Sequence, residues 1–297
     1  MKNKIKLSAC AIGLLTAIQM IAVPGANANP QTCKSYGPPN NAYYKWKAVW
    51  GDEFNSNWLN TNTWYPYERE DNQPDPDGAI NANGQKIFHT NGWFSPDNVT
   101  VGGGFLEIQS RTNGTNAPKG KKYSGGWIQS RDKFNKGYFE ACVKVQWNDD
   151  RAPTWSTFWL WEKKSDGSAN EFDIMEWVGN HWPKYPTQSH HGPRKQFKFT
   201  TQDNPPAQSS LHTRQAQSWH TWGMLWKNDE ITFYLDGVKQ FSSHRPGAAN
   251  WDYLPIIFSS SPVQKKLLPG YESPQLPRFI VDFVRVYHSP LIDNSIR

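Results

Sequence analysis

From about residue 46 to residue 287 the chain is written in short runs where apolar and polar residues alternate, each closed by a turn signal. A period of two fits a pleated strand and no helix. Residues 99–110 read Val-Thr-Val, a glycine turn at 102–104, then Phe-Leu-Glu-Ile-Gln-Ser, which predicts a hairpin. Residues 138–146 set Phe139, Ala141, Val143 and Val145 against Tyr138, Glu140, Cys142, Lys144 and Gln146. A second hairpin is expected over residues 221–241, turning at Asp236-Gly237, and residues 279–287 read as a closing strand. No pattern supports a helix longer than two turns, and no internal repeat is present. The chain is therefore expected to be all-β, a sandwich or barrel of antiparallel sheets. A polar, aromatic face on one sheet would form an open cleft, which suits internal cleavage of a long polymer.

One strand carries a concentration of charge. Residues 171–176 read Glu-Phe-Asp-Ile-Met-Glu, three carboxylates separated by large apolar side chains. Strict alternation puts Glu171 and Asp173 on one face but would add Met175, not Glu176. One extra residue, a β-bulge, brings Glu176 to the acidic face. Like charges so close raise each other's pKa, so the arrangement is costly. Four strand steps place the two glutamate Cα atoms about 13 Å apart. Side chains leaning together can close their carboxyls to the roughly 5–5.5 Å used by retaining glycoside hydrolases. One glutamate would be nucleophile and the other general acid/base, with Asp173 supporting the nucleophile. The chemistry alone leaves open which glutamate does which.

The N-terminus points to export. Lys2, Lys4 and Lys6 precede an apolar run to about Val23, and Ala26-Asn27-Ala28 has the form of a signal-peptidase site. Cleavage after residue 28 removes three lysines and no acid, so the formal +6 falls to near +3. That mild excess does not call for a polyanionic partner such as nucleic acid. No later segment is apolar enough to span a bilayer. Cys33 and Cys142 remain after cleavage, and an exported chain permits a disulfide between them. No Cys/His spacing suggests zinc, and neither Gly-x-Ser-x-Gly nor His-Glu-x-x-His occurs. Sixteen Trp, 12 Tyr and 15 Phe exceed what a core alone usually takes. Flat aromatic faces stack on sugar rings, so a polysaccharide is the expected partner.

At these residues the chain resembles glycoside hydrolase family 16, whose signature on a bulged strand is Glu-x-Asp-x-x-Glu. Supporting motifs follow in the family's order: residues 52–55 (Asp-Glu-Phe-Asn), 137–141 (Gly-Tyr-Phe-Glu-Ala), 156–160 (Ser-Thr-Phe-Trp-Leu), 219–223 (Trp-His-Thr-Trp-Gly), 233–237 (Phe-Tyr-Leu-Asp-Gly) and 281–287 (Val-Asp-Phe-Val-Arg-Val-Tyr). The resemblance implies a jelly-roll β-sandwich with a concave cleft. It also implies Glu171 as nucleophile, Asp173 as its supporting acid and Glu176 as general acid/base. Ser-Thr-Phe-Trp-Leu and Ser189-His190-His191 resemble the branch acting on red-algal galactans: agarases, porphyranases and carrageenases. Ile174-Met175-Glu176 with Val178-Gly179 looks like a laminarinase, although the Trp-Pro-Ala-Phe-Trp of that branch is replaced by Trp155-Ser156-Thr157-Phe158-Trp159. The reading is an endo-acting galactanase, with an endo-β-1,3(4)-glucanase as alternative. A non-catalytic polysaccharide-binding protein is disfavoured because all three acids are present.

Candidate substrate contacts are Trp155, His190, His191, Glu140, Trp93, Trp127 and Trp182. Trp155 is expected to stack beside the cleavage point, Glu140 to line the cleft beside Tyr138, and Trp159 to be core. Arg131, Arg151 and Arg194 are candidates for pairing with a sulfate. Two-carboxylate hydrolysis requires no cofactor, while the resemblance suggests a structural calcium near Asp282. The expected organisation is a signal peptide at 1–28, a leader at 29–45, a catalytic domain at 46–290 and a tail at 291–297, acting as a secreted monomer.

Overall fold

The computed structural model describes residues 33–71, 92–112, 118–146, 154–165, 169–178, 187–192, 195–200, 218–262 and 276–293. The expected signal peptide therefore lies outside the described residues, as do Trp182, Arg151 and Arg194.

The alternating runs become strands. In chain order they are β1 (Lys47–Asp52), β2 (Trp64–Pro66), β3 (Arg69–Asp71), β4 (Gly92–Phe94), β5 (Val99–Gly102) and β6 (Phe105–Gln109). Then come β7 (Arg111–Thr112), β8 (Tyr123–Phe134), β9 (Gly137–Gln146), β10 (Thr154–Lys163), β11 (Ala169–Val178) and β12 (Thr187–Gly192). The rest are β13 (Lys195–Thr200), β14 (His220–Lys227), β15 (Glu230–Leu235), β16 (Val238–His244), β17 (Leu254–Pro262) and β18 (Arg278–His288). The described helices α1 (Asn41–Tyr44) and α2 (Pro290–Asp293) are single turns. Both expected hairpins form, β5–β6 and β14–β15–β16. Asp236 and Gly237 take positive φ at the turn, as a tight hairpin requires.

Two sheets result, and the fold is an all-β jelly-roll sandwich. The first sheet runs β16-β15-β14-β9-β18-β6-β5, with β1 beside β18. The second runs β13-β12-β11-β10-β17-β8-β4-β3, with β2 and β7 against β8. Between them Phe139, Ala141, Val143 and Val145 of β9 share one core with Phe172, Ile174, Met175 and Trp177 of β11. Phe172 sits between two indoles, 4.9 Å from Trp226 and 4.8 Å from Trp251 by ring centroids. A one-residue slip of β11 would carry these buried side chains into water, at about 1.5–3 kcal/mol each. The core thus fixes which way the acids of β11 point.

Two of the sequence motifs are structural. Asp52 accepts the backbone N–H of Phe54 at 2.8 Å and the indole N–H of Trp64 at 2.8 Å. Glu53 takes both arms of the Arg285 guanidinium at 2.7 and 2.9 Å, tying the start of the sandwich to its last strand.

The segment expected as a leader is, from Cys33 onward, a strap over the outer face of the first sheet. Cys33 is bonded to Cys142 of β9, with Cα atoms 5.9 Å apart. Trp46 of the strap joins Tyr138, Leu225, Tyr234 and Ile292 in a second apolar cluster on that face. This arrangement corrects the reading of Glu140. It lies fully buried under the strap, accepting from Ser35 Oγ at 2.6 Å, the Gly37 N–H at 3.1 Å and the Tyr287 hydroxyl at 3.1 Å. Alternation had set Glu140 opposite the core correctly, but its face belongs to the sheet without the acids. Burial raises its carboxyl pKa, and these donors together with Arg285 pull against that rise.

Candidate active site

The bulge forms within the acidic strand. Against β10, Phe158 pairs with Met175 and Trp159 with Asp173, leaving Ile174 as the extra residue. Against β12 the register shifts between Asp173 and Glu176. Ile174 and Met175 are both buried in the core, at 0% and 2% exposure. Glu171, Asp173 and Glu176 consequently share the outer face of the second sheet. Asp173 and Glu176 are nonetheless buried, and Glu171 is half-buried.

Neighbouring strands orient these carboxyls. The indole N–H of Trp155 donates to Glu176 Oε1 at 3.1 Å. Ser189 Oγ, fully buried on β12, donates to Asp173 Oδ2 at 2.5 Å. Cross-strand residues share a face, so the pairs Thr157–Glu176, Trp159–Asp173 and Trp161–Glu171 place three further side chains beside the acids. Thr157 is itself tied to β17 through Ser259, oxygen to oxygen at 2.6 Å.

An aromatic floor continues away from the acids. Trp159 packs edge-on against Trp127 with centroids 5.0 Å apart, and Trp127 meets Phe94 at 5.3 Å and Tyr67 at 5.5 Å. The Arg69 guanidinium lies 5.2 Å from the Trp127 ring. The Tyr67 hydroxyl donates to Gln129 at 3.1 Å, and burial raises its pKa. Beyond it Tyr65 stands 47% exposed, with the Arg131 guanidinium 5.4 Å from its ring. Arg131 Nε donates to the Thr61 carbonyl at 2.6 Å.

Of the sequence-predicted contacts, Trp155 and Trp127 lie on this side of the sheet, Trp155 half-buried and Trp127 buried at 3% exposure, so the Trp127 ring is packing rather than an open platform. Trp93 does not: it alternates with Phe94 and so points away from the aromatic row, with the Lys119 ammonium 6.0 Å from its ring. The backbone register sets His191 across from Glu171 and His190 across from Phe172, while the side chains of both histidines lie outside the described structure. Trp159, expected as core, is buried at 9% exposure in a core cluster with Phe94, Trp127 and Ile257 on the acids' side of the second sheet. The parity of β10 carries the missed signal. Residues 155, 157, 159 and 161 share one face, and a short connection to β11 makes that face the acids' own.

Asp282 does not suit calcium. Its carboxyl accepts the Cys33 N–H, and the ligand-type atoms beside it are the sulfurs of Cys33 and Cys142, which are consumed in the disulfide. Nearby Glu53 is committed to Arg285. Calcium takes about six to eight oxygens, and among the described side chains one carboxylate beside a disulfide is not that donor set.

Comparison with known proteins agrees with this geometry. A model of the "Beta-porphyranase A-D, GH16 domain" matches residues 45–289. β-Porphyranase C of Zobellia galactanivorans is 24% identical over 235 residues, covering 65% of this chain and 62% of that enzyme. The chain thus spans less than two thirds of that relative. Glucan endo-1,3-β-glucosidase A1 of Niallia circulans is 28% identical over 233 residues, covering 72% of this chain and 32% of that enzyme. Among solved structures, the endo-β-1,3-glucanase of Pyrococcus furiosus superposes with a TM-score of 0.61 at 20% identity, covering 82% of this chain and 95% of that one. That likeness shows the fold. The family match, running from the end of the strap to the last strand, shows the rest: this chain belongs to glycoside hydrolase family 16, in the domain family of the β-porphyranases A–D.

Proposed function

We propose that the chain is an exported, endo-acting retaining hydrolase of a β-linked red-algal galactan of the porphyran or agar kind. The observation that carries the mechanism is the shared face of Glu171, Asp173 and Glu176, produced by the bulge at Ile174. Glu171 attacks the anomeric carbon and forms a glycosyl ester as the glycosidic C–O bond breaks. Glu176 gives its proton to the departing oxygen. A water, deprotonated by Glu176, then breaks the ester and regenerates both carboxyls. Asp173, held by Ser189, orients the nucleophile. Trp155, half-buried beside Glu176, supplies a flat face for a sugar ring, and the buried Trp159–Trp127 pair packs beneath that side of the sheet. No step requires a cofactor.

The porphyranase family model favours the galactan. The second reading, an endo-β-1,3-glucanase, draws on the 28% identity to the Niallia circulans enzyme. A reducing-sugar assay on porphyran, agarose, κ-carrageenan, laminarin and lichenan separates them. Activity confined to laminarin or lichenan rejects the galactan and leaves the mechanism standing. Glu171→Ser and Glu176→Gln are each expected to lower the rate by about 10²–10⁴-fold or more while the fold persists. Full activity in either variant rejects the assignment.

A further inference from the structure

The outer face of the first sheet, away from the acids, carries a groove of its own. One hollow of about 490 Å³ is lined by Tyr44, Lys227, Thr232, Lys239 and His244 among others. A second of about 230 Å³ lies between Tyr36 and the Asp236-Gly237 turn. Tyr234 of the smaller pairs in register with Lys239 of the larger, so the two adjoin along β15 and β16.

The walls combine rings, cations and hydroxyls. Tyr36 is 41% exposed, yet its ring is seated on Gly237, where an added Cβ would come within 2.6 Å of the ring. The Lys34 ammonium lies 4.9 Å from that ring. Lys227 lies 5.7 Å from the Tyr44 ring and donates to its hydroxyl at 3.4 Å. Thr232 and Ser242 present a pair of hydroxyls 2.8 Å apart. Of the two acids on these walls, Asp236 is turned to His220 at 2.8 Å and the Thr221 N–H at 2.9 Å. Glu230 stands opposite Lys227 in register. Lys227 and Lys239 of the lining, with Lys34 beside the Tyr36 ring, set three ammonium groups against these two carboxylates, an excess of one positive charge.

Fixed rings that stack on sugars, ammonium groups for an anionic substituent and hydroxyls for sugar oxygens describe a saccharide surface. We propose that this groove is a second, non-catalytic binding site for a stretch of an anionic polysaccharide, sulfated or carboxylated. It would hold the protein on its polymer while the cleft on the opposite face acts. The proposal draws on the hydrolase reading only for a polysaccharide in the cleft.

The test is electrophoresis of the Glu176→Gln protein through native gels containing porphyran, another sulfated galactan or neutral agarose, with a saturating short oligosaccharide blocking the cleft. Retardation is expected in the anionic gels and not in agarose. Adding Tyr36→Ala and Lys239→Ala is expected to weaken that retention about ten-fold, from one ring and one exposed cation. The same two substitutions in the chain with Glu176 intact should leave turnover of a short oligosaccharide and the Tm unchanged. Equal retardation of parent and variant overturns the proposal, as does no retardation in any anionic gel. Equal retention by agarose overturns the anionic class. If Tyr36 and Lys239 control retention but the intact chain releases no reducing ends, the hydrolase reading fails and this site stands.

Discussion

Trp155 donates its indole N–H to Oε1 of Glu176 at 3.1 Å, so one tryptophan on the acids' face fixes an oxygen of the carboxyl proposed as general acid. An indole nitrogen only donates. Oε1 must therefore be an acceptor, which in the proposed mechanism leaves Oε2 to carry the proton.

Trp155→Phe keeps a ring and deletes that donor. We expect kcat to fall by about ten-fold, as for one lost hydrogen bond to a charged group, with a smaller change in KM. Trp155→Ala should raise KM as well, because the ring is lost. Steady-state kinetics on a soluble oligosaccharide check both. A Phe variant with unchanged kcat and raised KM would assign Trp155 to stacking alone.

Deleting Ile174 tests the bulge. The remaining residues Phe172, Asp173, Met175 and Glu176 already pair one to one with Leu160, Trp159, Phe158 and Thr157. The deletion is expected to keep all three acids on the outer face and retain measurable hydrolysis. Loss of a fully buried isoleucine should cost about 2–5 kcal/mol in chemical denaturation. Folded protein without activity would show that the bulge is required for catalysis and not for side-chain parity alone.

Glu140 predicts a pH dependence of stability. Its folded pKa is raised by burial, so its contribution is fully present below the unfolded value near 4.5 and is lost as pH rises through the folded value. Glu140→Gln removes that titration. The Tm of the wild type should therefore fall relative to the variant as pH is raised from 4 towards 7. Parallel Tm curves across this range would contradict the burial of an ionising carboxyl.

The Cys33–Cys142 bond closes a long loop, 109 residues in sequence separation. Replacing both cysteines by serine is expected to cost about 2–4 kcal/mol. The strap lies on the sheet without the acids, so kcat/KM at low temperature should be retained. Strong loss of activity in a folded double-serine variant would tie the strap to catalysis.

Much of this was legible in the chain. Period-two runs named the strands, and Asp236-Gly237 named a hairpin. Met175 between two acids named the bulge, because a large apolar residue on a carboxylate face must be turned inward. Trp159 was legible as core, while its place on the acids' side of the sheet was not, because an apolar run does not say on which side of a sheet its residues pack. Trp93 was misplaced because its one-residue offset from Phe94 acquires meaning only when β4 is seated beside β8.

By itself the sequence determined that each strand has two faces, and which residues share them. It could not say which sheet's outer face is open. β9 and β11 both set polar or ionisable groups opposite a core face, and alternation treats Glu140 and Glu171 alike. The tertiary structure decided between them through contacts far apart in sequence. A disulfide and a strap bury Glu140 under residues 33–46, while pairing with β10 and β12 gathers Trp155, Trp159 and Ser189 around the acids of β11. Side-chain parity is local and readable; which face is covered depends on long-range packing, which parity does not encode.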